Sequence, residues 1–138
     1  MSPPTTTDDK REEFEAVVGA LNARDFDALA EILHPEVEFH SRLAVAEGEV
    51  YRGIEGTRQW AVNVDATWDG FEMKVMDFRM VGDQQAVAVL RNLGVARASG
   101  VPLQTSSAAV LTWRDGKPWR NVVYSDTREA LAAVGLSE

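Results

Sequence analysis

The sequence contains no cysteine and only two histidines, and these shortages exclude several kinds of site. Without cysteine there is no disulfide, no thiolate nucleophile and no cysteine-ligated zinc. The two histidines, His34 and His40, lie six residues apart without a matching carboxylate, which is not the pattern of a metal site. We therefore expect no bound metal, and neither function considered below requires a cofactor.

Positive charge is also scarce, with 14 Lys and Arg against 22 Asp and Glu and a net charge of -8. Nucleic acids and anionic membrane surfaces are bound through basic faces, so we expect neither as a partner. No apolar run approaches the roughly 18 residues that a membrane span needs. The first ten residues lack the basic and apolar regions of a signal peptide, and we therefore expect a cytoplasmic protein.

The 138 residues, of which 45% are hydrophobic, are enough for one domain that buries a core without covalent cross-links. Residues 1–7 are rich in Pro and Thr and are predicted to be a disordered tail. Residues 8–138 form the predicted domain.

Helical periodicity dominates the first half of the chain. Asp25 is placed to cap a second short helix, which ends before Pro35 because the residue preceding a proline is pushed out of the helical region. A third helix is predicted from about Ile54 to Trp68. Apolar residues at helical spacing define the buried face of the first helix: Phe14, Val17, Val18 and Leu21.

The stretch "EVEFHS" at residues 36–41 alternates in polarity and predicts a strand with one buried face. Phe39 and Ser41 fall on the buried side, whereas Glu38 and His40 fall on the other. Residues 42–53, "RLAVAEGEVYRG", read as a long loop.

The second half of the chain has turn signals at residues 82–83, 99–100 and 115–116, which separate four extended runs. Three hairpins between four strands make an antiparallel meander. The runs exceed the usual strand length of about 5 to 6 residues, so we expect strong twist and bulges. Asp126 and Glu129 frame a capping box that begins a last short helix. This order predicts an α+β domain, with a cone-shaped curved antiparallel sheet wrapped around the N-terminal helices and a pocket inside the cone.

This order, together with "ALNARDFDALAEILHPEVEF", "YRGIEGTRQW" and "LTWRDGKPWRNVVYSDTREALAAVGL", resembles the SnoaL-like branch of the nuclear transport factor 2-like superfamily. The resemblance covers residues 10 to 136. It implies a curved sheet with a cone-shaped cavity, and a homodimer formed through the outer sheet face. The superfold hosts isomerases, polyketide cyclases, dehydratases and non-enzymatic modules, so the resemblance alone leaves the function open.

The ketosteroid isomerase branch of this superfamily provides a residue-level comparison. That chemistry needs a carboxylate that shuttles a proton, and an oxyanion hole made by a tyrosine and a neutral carboxylic acid. By resemblance, the carboxylate falls on Ser41, the tyrosine on Val17 and the acid on about Ala109. None of these side chains performs the corresponding role, which argues against steroid isomerisation by that mechanism.

Strand alternation predicts a mostly apolar pocket with a few neutral polar groups. Tyr51 has two interpretations, a hydrogen-bonding partner for a ligand or an anchor for the preceding loop. Trp60 and Trp113 are either core residues or platforms for a flat ligand. The residues predicted to line the pocket are Phe39, Ser41, Tyr51, Trp60, Val64, Asn92, Ser107, Trp113 and Asn121.

His40 is the candidate catalytic residue, because an unperturbed imidazole with a pKa of about 6.5 suits proton transfer near neutrality. Its place in the alternation is opposite to that of Phe39, so it faces the interior only if the strand end twists. The alternative is a strand-end histidine paired with a neighbouring carboxylate.

Two functions remain. The first is a pocket protein that acts on or sequesters a small hydrophobic or polycyclic molecule, with acid–base chemistry of the isomerase, cyclase or dehydratase type if it is an enzyme. The second is a non-catalytic ligand-binding or dimerisation module of the same fold. An open cavity with His40 at its wall favours the first, and an interior filled with side chains favours the second.

Overall fold

A computed structural model describes residues 7–40, 50–124 and 126–135 of the chain, and these residues form the predicted α+β domain. The tail predicted at residues 1–7 lies outside the described residues except for Thr7, the first residue of α1. The helices are α1 (Thr7–Ala23), α2 (Phe26–Ile32), α3 (Gly53–Thr67) and α4 (Thr127–Ala133). The strands are β1 (Glu38–His40), β2 (Val50–Arg52), β3 (Trp68–Val81), β4 (Gln85–Ala96), β5 (Pro102–Arg114) and β6 (Lys117–Tyr124).

The strands form one curved, open sheet in the order β2-β1-β6-β5-β4-β3. Strands β3 to β6 make the predicted antiparallel meander, with register shifts in β3 and near the β5–β6 turn that supply the expected bulges. β1 pairs with β6 in parallel and with β2 in the antiparallel sense. The loop predicted over residues 42–53 is therefore wrong at its end, where Val50–Arg52 form β2. A strand of three residues is too short to show alternation, and its pairing with β1 is a backbone interaction that side-chain patterns do not reveal.

The caps agree with the residues that predicted them. Asp25 accepts a hydrogen bond from the Ala28 N–H at 3.1 Å, which satisfies one free donor of the first turn of α2. Asp126 accepts one from the Glu129 N–H at 2.9 Å at the start of α4. None of the helices in the described parts of the chain has the length and apolar character that a membrane span requires.

The inner face of the sheet packs against α1 and α3, and the centre of this core is Trp60 of α3, which has no exposed surface. Its ring centroid lies 5.1 Å from that of Phe39 and 6.1 Å from that of Phe71. A second cluster of buried side chains lies on the outer face, where Ala108 and Val110 pack with Leu131 of α4. The middle of β5 is therefore covered on both faces.

An ion cluster joins β2, β1 and β6 on the side of β1 opposite to Phe39. Glu38 is directly paired with Arg52 and with Arg120 in the strand register. Its Oε2 lies 2.8 Å from Arg52 Nη1, and its Oε1 lies 3.4 Å from Arg120 Nε and 3.2 Å from His40 Nε2. The hydrogen bond to the His40 ring, followed by the two guanidinium groups, lowers the pKa of Glu38, although desolvation opposes this.

The first prediction concerns the close approach of α3 to β2. A Cβ added at Gly56 would lie 2.8 Å from the carbonyl carbon of Tyr51, which is backbone and has no freedom to move aside. We expect Gly56→Ala to lower the free energy of unfolding by about 1–3 kcal/mol, as overpacking does. Urea denaturation measures this.

The matched control for this substitution is Gly19→Ala in α1, where an added Cβ meets nothing within 4 Å. There the better helix propensity of alanine should raise stability by up to about 1 kcal/mol. A Gly56→Ala variant as stable as Gly19→Ala would contradict the described packing of α3 on β2.

The second prediction concerns Glu38, whose pKa in the folded state is lowered by the hydrogen bond to the His40 ring and by two guanidinium groups. The contribution of the Glu38 carboxylate to the free energy of unfolding is fully present above its unfolded-state pKa. It is lost as the pH falls through its folded-state pKa. We expect Glu38→Gln to reduce stability by about 1–2 kcal/mol near pH 7, the size of a hydrogen bond to a charged group. The deficit should shrink as the solution is acidified below the pKa of the free carboxyl, and urea midpoints across the acid range measure it.

Glu36→Gln is the control for this acid titration, because the exposed Glu36 makes no ion pair among the described residues. It should keep the wild-type dependence of stability on pH. If the stability of Glu38→Gln falls with pH in the same way as that of wild type, the stabilising role of the cluster is refuted.

Candidate functional site

The inner face of β4 and β5 carries a small polar network in a mainly apolar surrounding. Asn92 has no exposed surface, and Ser107 is also buried. Asn92 Nδ2 donates to Ser107 Oγ at 3.1 Å and is 3.4 Å from Thr105 Oγ1. No described residue donates a hydrogen bond to Asn92 Oδ1, which is buried. The amide therefore has its donor side satisfied and its acceptor side free.

Asn121 of β6 repeats this situation from the neighbouring strand. It is paired with Phe39 of β1 and Leu111 of β5, and its Oδ1 is buried without a donor among the described residues. Each unsatisfied buried acceptor costs about 1–3 kcal/mol. Two such oxygens on one inner surface mark a place that a hydrogen-bond donor would stabilise.

Both amides border a cavity of about 10 Å³, close to the smallest volume that holds one water molecule. A second cavity of about 40 Å³ lies next to it, and Leu21, Phe39 and Asn121 border both. The described side chains therefore leave little free volume at these two places beside the amides. The other residues around the smaller cavity are Phe14, Val18, Met73, Leu90, Ser107 and Val123.

The structure brings four of the predicted pocket residues together around these cavities, namely Phe39, Asn92, Ser107 and Asn121. Three others, Trp60, Val64 and Trp113, are buried core residues that border neither cavity. The indole nitrogen of Trp113 donates to Glu13 Oε1 at 2.6 Å, and Lys10 Nζ lies 4.7 Å from its ring. Ser41 lies outside the described residues.

Tyr51 is buried, and its ring centroid lies 6.4 Å from that of Phe39. Its hydroxyl oxygen accepts a hydrogen bond from Asn63 Nδ2 at 2.9 Å, which ties β2 to α3. Tyr51 borders neither interior cavity. This geometry corresponds to the anchoring alternative rather than to a ligand contact.

His40 does not join the interior group. Its ring is one-third exposed, and its Nε2 lies 3.2 Å from Glu38 Oε1 on the side of β1 away from Phe39. The geometry corresponds to the alternative of a strand-end histidine paired with a carboxylate. A catalytic role for His40 stays a prediction.

The two histidines are held by different carboxylates. His34 Nε2 lies 3.1 Å from Asp115 Oδ2, and its Nδ1 accepts a hydrogen bond from the Glu36 N–H at 3.0 Å. No cluster of three His, Asp or Glu side chains that could hold a metal ion occurs within residues 7–40, 50–124 and 126–135.

Of the three positions compared above with the ketosteroid isomerase acid–base residues, Ser41 lies outside the described residues, and the other two are apolar and interior. Val17 borders the larger cavity, and Ala109 has no exposed surface. Leu21 and Met73 also line the interior, although the sequence did not single them out as pocket residues. The helical periodicity marks Leu21 as buried, but only the packing of α1 on the sheet places it beside Asn121.

Solved structures share this fold across most of the chain. A protein with a ketosteroid isomerase-like fold from Catenulispora acidiphila, in complex with trimethylamine, is 18% identical with a TM-score of 0.71, covering 91% of this chain and 93% of its own. TerC co-crystallised with polyporic acid is 20% identical with a TM-score of 0.72, covering 90% and 96%. RV0760c from Mycobacterium tuberculosis, in complex with estradiol-17beta-hemisuccinate, is 9% identical with a TM-score of 0.68, covering 85% and 93%.

No curated protein matches the chain. The family model of the SnoaL-like domain does match it, over residues 14–121. That range contains α1 from Phe14 onward, the whole curved sheet up to Asn121 of β6, and both amides of the interior. Because the match spans well over half of the 138 residues, the chain belongs to the SnoaL-like domain family.

Proposed function

We propose that this protein binds a small hydrophobic molecule carrying a hydrogen-bond donor, inside the cone formed by the sheet and the N-terminal helices. The observation that carries the proposal is the pair of buried amide oxygens of Asn92 and Asn121, which lack a donor among the described residues. The remaining wall of the smaller cavity is almost entirely apolar. Few placed polar groups in an apolar wall are typical of small-molecule sites.

Structures of the same fold support a ligand of this type. TerC was crystallised with polyporic acid, and RV0760c with a steroid derivative. Both are below 25% identity to this chain, so they support the binding of organic molecules by proteins of this fold and do not name the ligand of this protein.

The space beside the two amides must widen before it accepts such a molecule, since pockets for organic ligands measure about 300–1,000 Å³. The two cavities measure about 40 and 10 Å³, and Phe39 borders both of them. We infer that displacement of the Phe39 ring joins the two cavities. Its loss of contact with Trp60 would be offset by contact between the ligand and the same apolar wall.

Binding is better supported than proton transfer by His40. The imidazole is on the side of β1 opposite to Phe39, and neither cavity is lined by it. Acid–base chemistry of the isomerase, cyclase or dehydratase type therefore ranks second, and its supporting observation is the Glu38–His40 contact that orients the ring. The homodimer through the outer sheet face and the cytoplasmic location stay predictions.

The third prediction uses phenol and toluene, two probes of similar size that differ by a hydroxyl donor in place of a methyl group. We measure the preference for phenol as the ratio of the toluene Kd to the phenol Kd. We expect this ratio to be about tenfold larger in wild type than in Asn121→Leu, because one net hydrogen bond is worth about 1 kcal/mol or slightly more. Chemical shift titration of the methyl and amide signals around Phe39 measures both affinities. Asn92→Leu should also lower the preference for phenol over toluene.

The control is Asn63→Leu, the same replacement at a residue that binds the Tyr51 hydroxyl and borders neither cavity. It should leave the phenol preference at its wild-type value. An unchanged preference in both interior variants, or the absence of binding by either probe, would count against the proposed site.

The fourth prediction separates binding from catalysis. We expect His40→Ala to leave the affinities for phenol and toluene within about twofold of wild type, because the ring lies on the other side of β1. A marked loss of affinity in His40→Ala would place the imidazole at the ligand and would restore the catalytic hypothesis.

A further inference from the structure

A further cavity among the described residues lies outside the cone and has no role in the proposed function. It is a groove of about 420 Å³, about ten times the volume of the larger interior cavity. Its walls are the Pro35–Glu36 turn, Glu38 of β1, Arg52 of β2, Gly53 of α3, and Arg114 and Trp119 of the β5–β6 hairpin. Glu38 alone borders both this groove and an interior cavity.

A bulge in β6 aims Trp119 into this groove. The register pairs Thr112 with Arg120 and Trp113 with Pro118, so Trp119 is the extra residue of the strand. An extra residue disturbs strict alternation and re-aims a side chain. The indole ring consequently lies beside Arg120 and Arg114, whose guanidinium carbons are 4.4 Å and 5.1 Å from its centroid.

These stacking contacts hold Arg114 at the wall of the groove and Arg120 on the ring of Trp119 beside it. A cation–π contact at an exposed site restricts an otherwise mobile arginine side chain. The guanidinium groups are therefore partly pre-organised, which lowers the entropy cost of binding an anion.

The carboxylates nearby do not neutralise all of this positive charge. Glu38 is shared by Arg52, Arg120 and His40, and Arg120 Nε has no hydrogen bond among the described residues although it lies 3.4 Å from Glu38 Oε1. Arg114 forms no ion pair within the described parts of the chain. Glu36 also lines the groove, so the guanidinium groups of Arg52, Arg114 and the adjacent Arg120 meet the two carboxylates of Glu36 and Glu38, in a chain with a net charge of -8.

We propose that this groove is a second ligand site, which binds a small organic anion through Arg114 with Arg52 and Arg120 beside it. The planar fork of arginine matches the oxygens of a carboxylate or a phosphate, and both share this chemistry. Pro35 and Trp119 supply apolar surface for the rest of the molecule. The groove does not include the interior amides, so the proposal for the groove and the proposal for the interior can fail separately.

The fifth prediction tests this site through the indole N–H signals of the four tryptophans, with Trp119 assigned from Trp119→Phe. The protein is titrated at constant ionic strength with benzoate, with inorganic phosphate and with uncharged benzyl alcohol. We expect the Trp119 signal to move saturably with at least one anion and not with benzyl alcohol, while the other three indole signals stay in place. Movement with benzoate alone assigns a carboxylate ligand, and movement with phosphate alone assigns a phosphate ligand.

Arg114→Gln should weaken the anion affinity about tenfold, because it removes a bidentate charged contact from an exposed site. The matched control is Arg91→Gln, an exposed arginine paired with Ser106 on β5. Ser106 is eight residues from Arg114 along the strand, or about 26 Å, so this control should keep the wild-type affinity.

Three results would overturn the proposal: no saturable movement of the Trp119 signal, equal anion affinity in Arg114→Gln and wild type, or equal loss in Arg91→Gln. Light scattering and thermal unfolding of each variant accompany the titrations. If a second copy of the chain covers the groove, Trp119 will not respond to either anion, and the proposal fails. Arg114→Lys, which keeps the charge and loses the planar fork, should fall between wild type and Arg114→Gln.

Discussion

The burial of Trp60 is the contact on which the shape of the domain depends. Its indole packs against Phe39 of β1 and Phe71 of β3, with ring centroids 5.1 Å and 6.1 Å away. In the sheet order these two strands are separated by β6, β5 and β4. Strands are spaced about 4.8 Å apart, so β1 and β3 would lie roughly 19 Å apart in a flat sheet. One side chain reaches both only because the sheet curves around α3.

That curvature determines what the interior can do chemically. The inner surfaces of β4, β5 and β6 converge, which brings Asn92 and Asn121 to the same cavity although they are distant in sequence. The positions that resemble the isomerase acid–base residues carry Val17 and Ala109, which are interior and apolar. The two amides and the Ser107 hydroxyl supply the polarity of the smaller cavity. Such groups recognise a donor, but they do not shuttle a proton near neutrality.

Neighbouring residues of β1 belong to the two candidate sites, which lie on opposite faces of the sheet. Phe39 borders both interior cavities, whereas the carboxylate of Glu38 and the ring of His40 belong to the ion cluster, and Glu38 also borders the larger cavity. This division follows from the two-residue period of a strand, which sends neighbouring side chains to opposite faces. Residues 41–49, which follow β1 in the chain, lie outside the described residues.

The sequence by itself determined the element order apart from β2, the caps at Asp25 and Asp126 and the antiparallel meander, because these depend on periodicity and turn chemistry within short windows. The SnoaL-like family was identified separately, through resemblance, and the family model over residues 14–121 confirms it. The sequence also determined the side of β1 that His40 occupies, through alternation. It did not reveal β2, whose pairing with β1 rests on backbone hydrogen bonds. It did not separate the core residues Trp60, Val64 and Trp113 from the cavity residues Asn92 and Asn121. All five are predicted to face inward, Trp60 and Val64 from one face of α3 and the other three by strand alternation. Only the tertiary structure decided which inward side chains are packed on every side and which have an acceptor without a donor. The bulge at Trp119 likewise became visible only in the strand register, because an extra residue leaves no mark on the side-chain pattern until its partner strand is known.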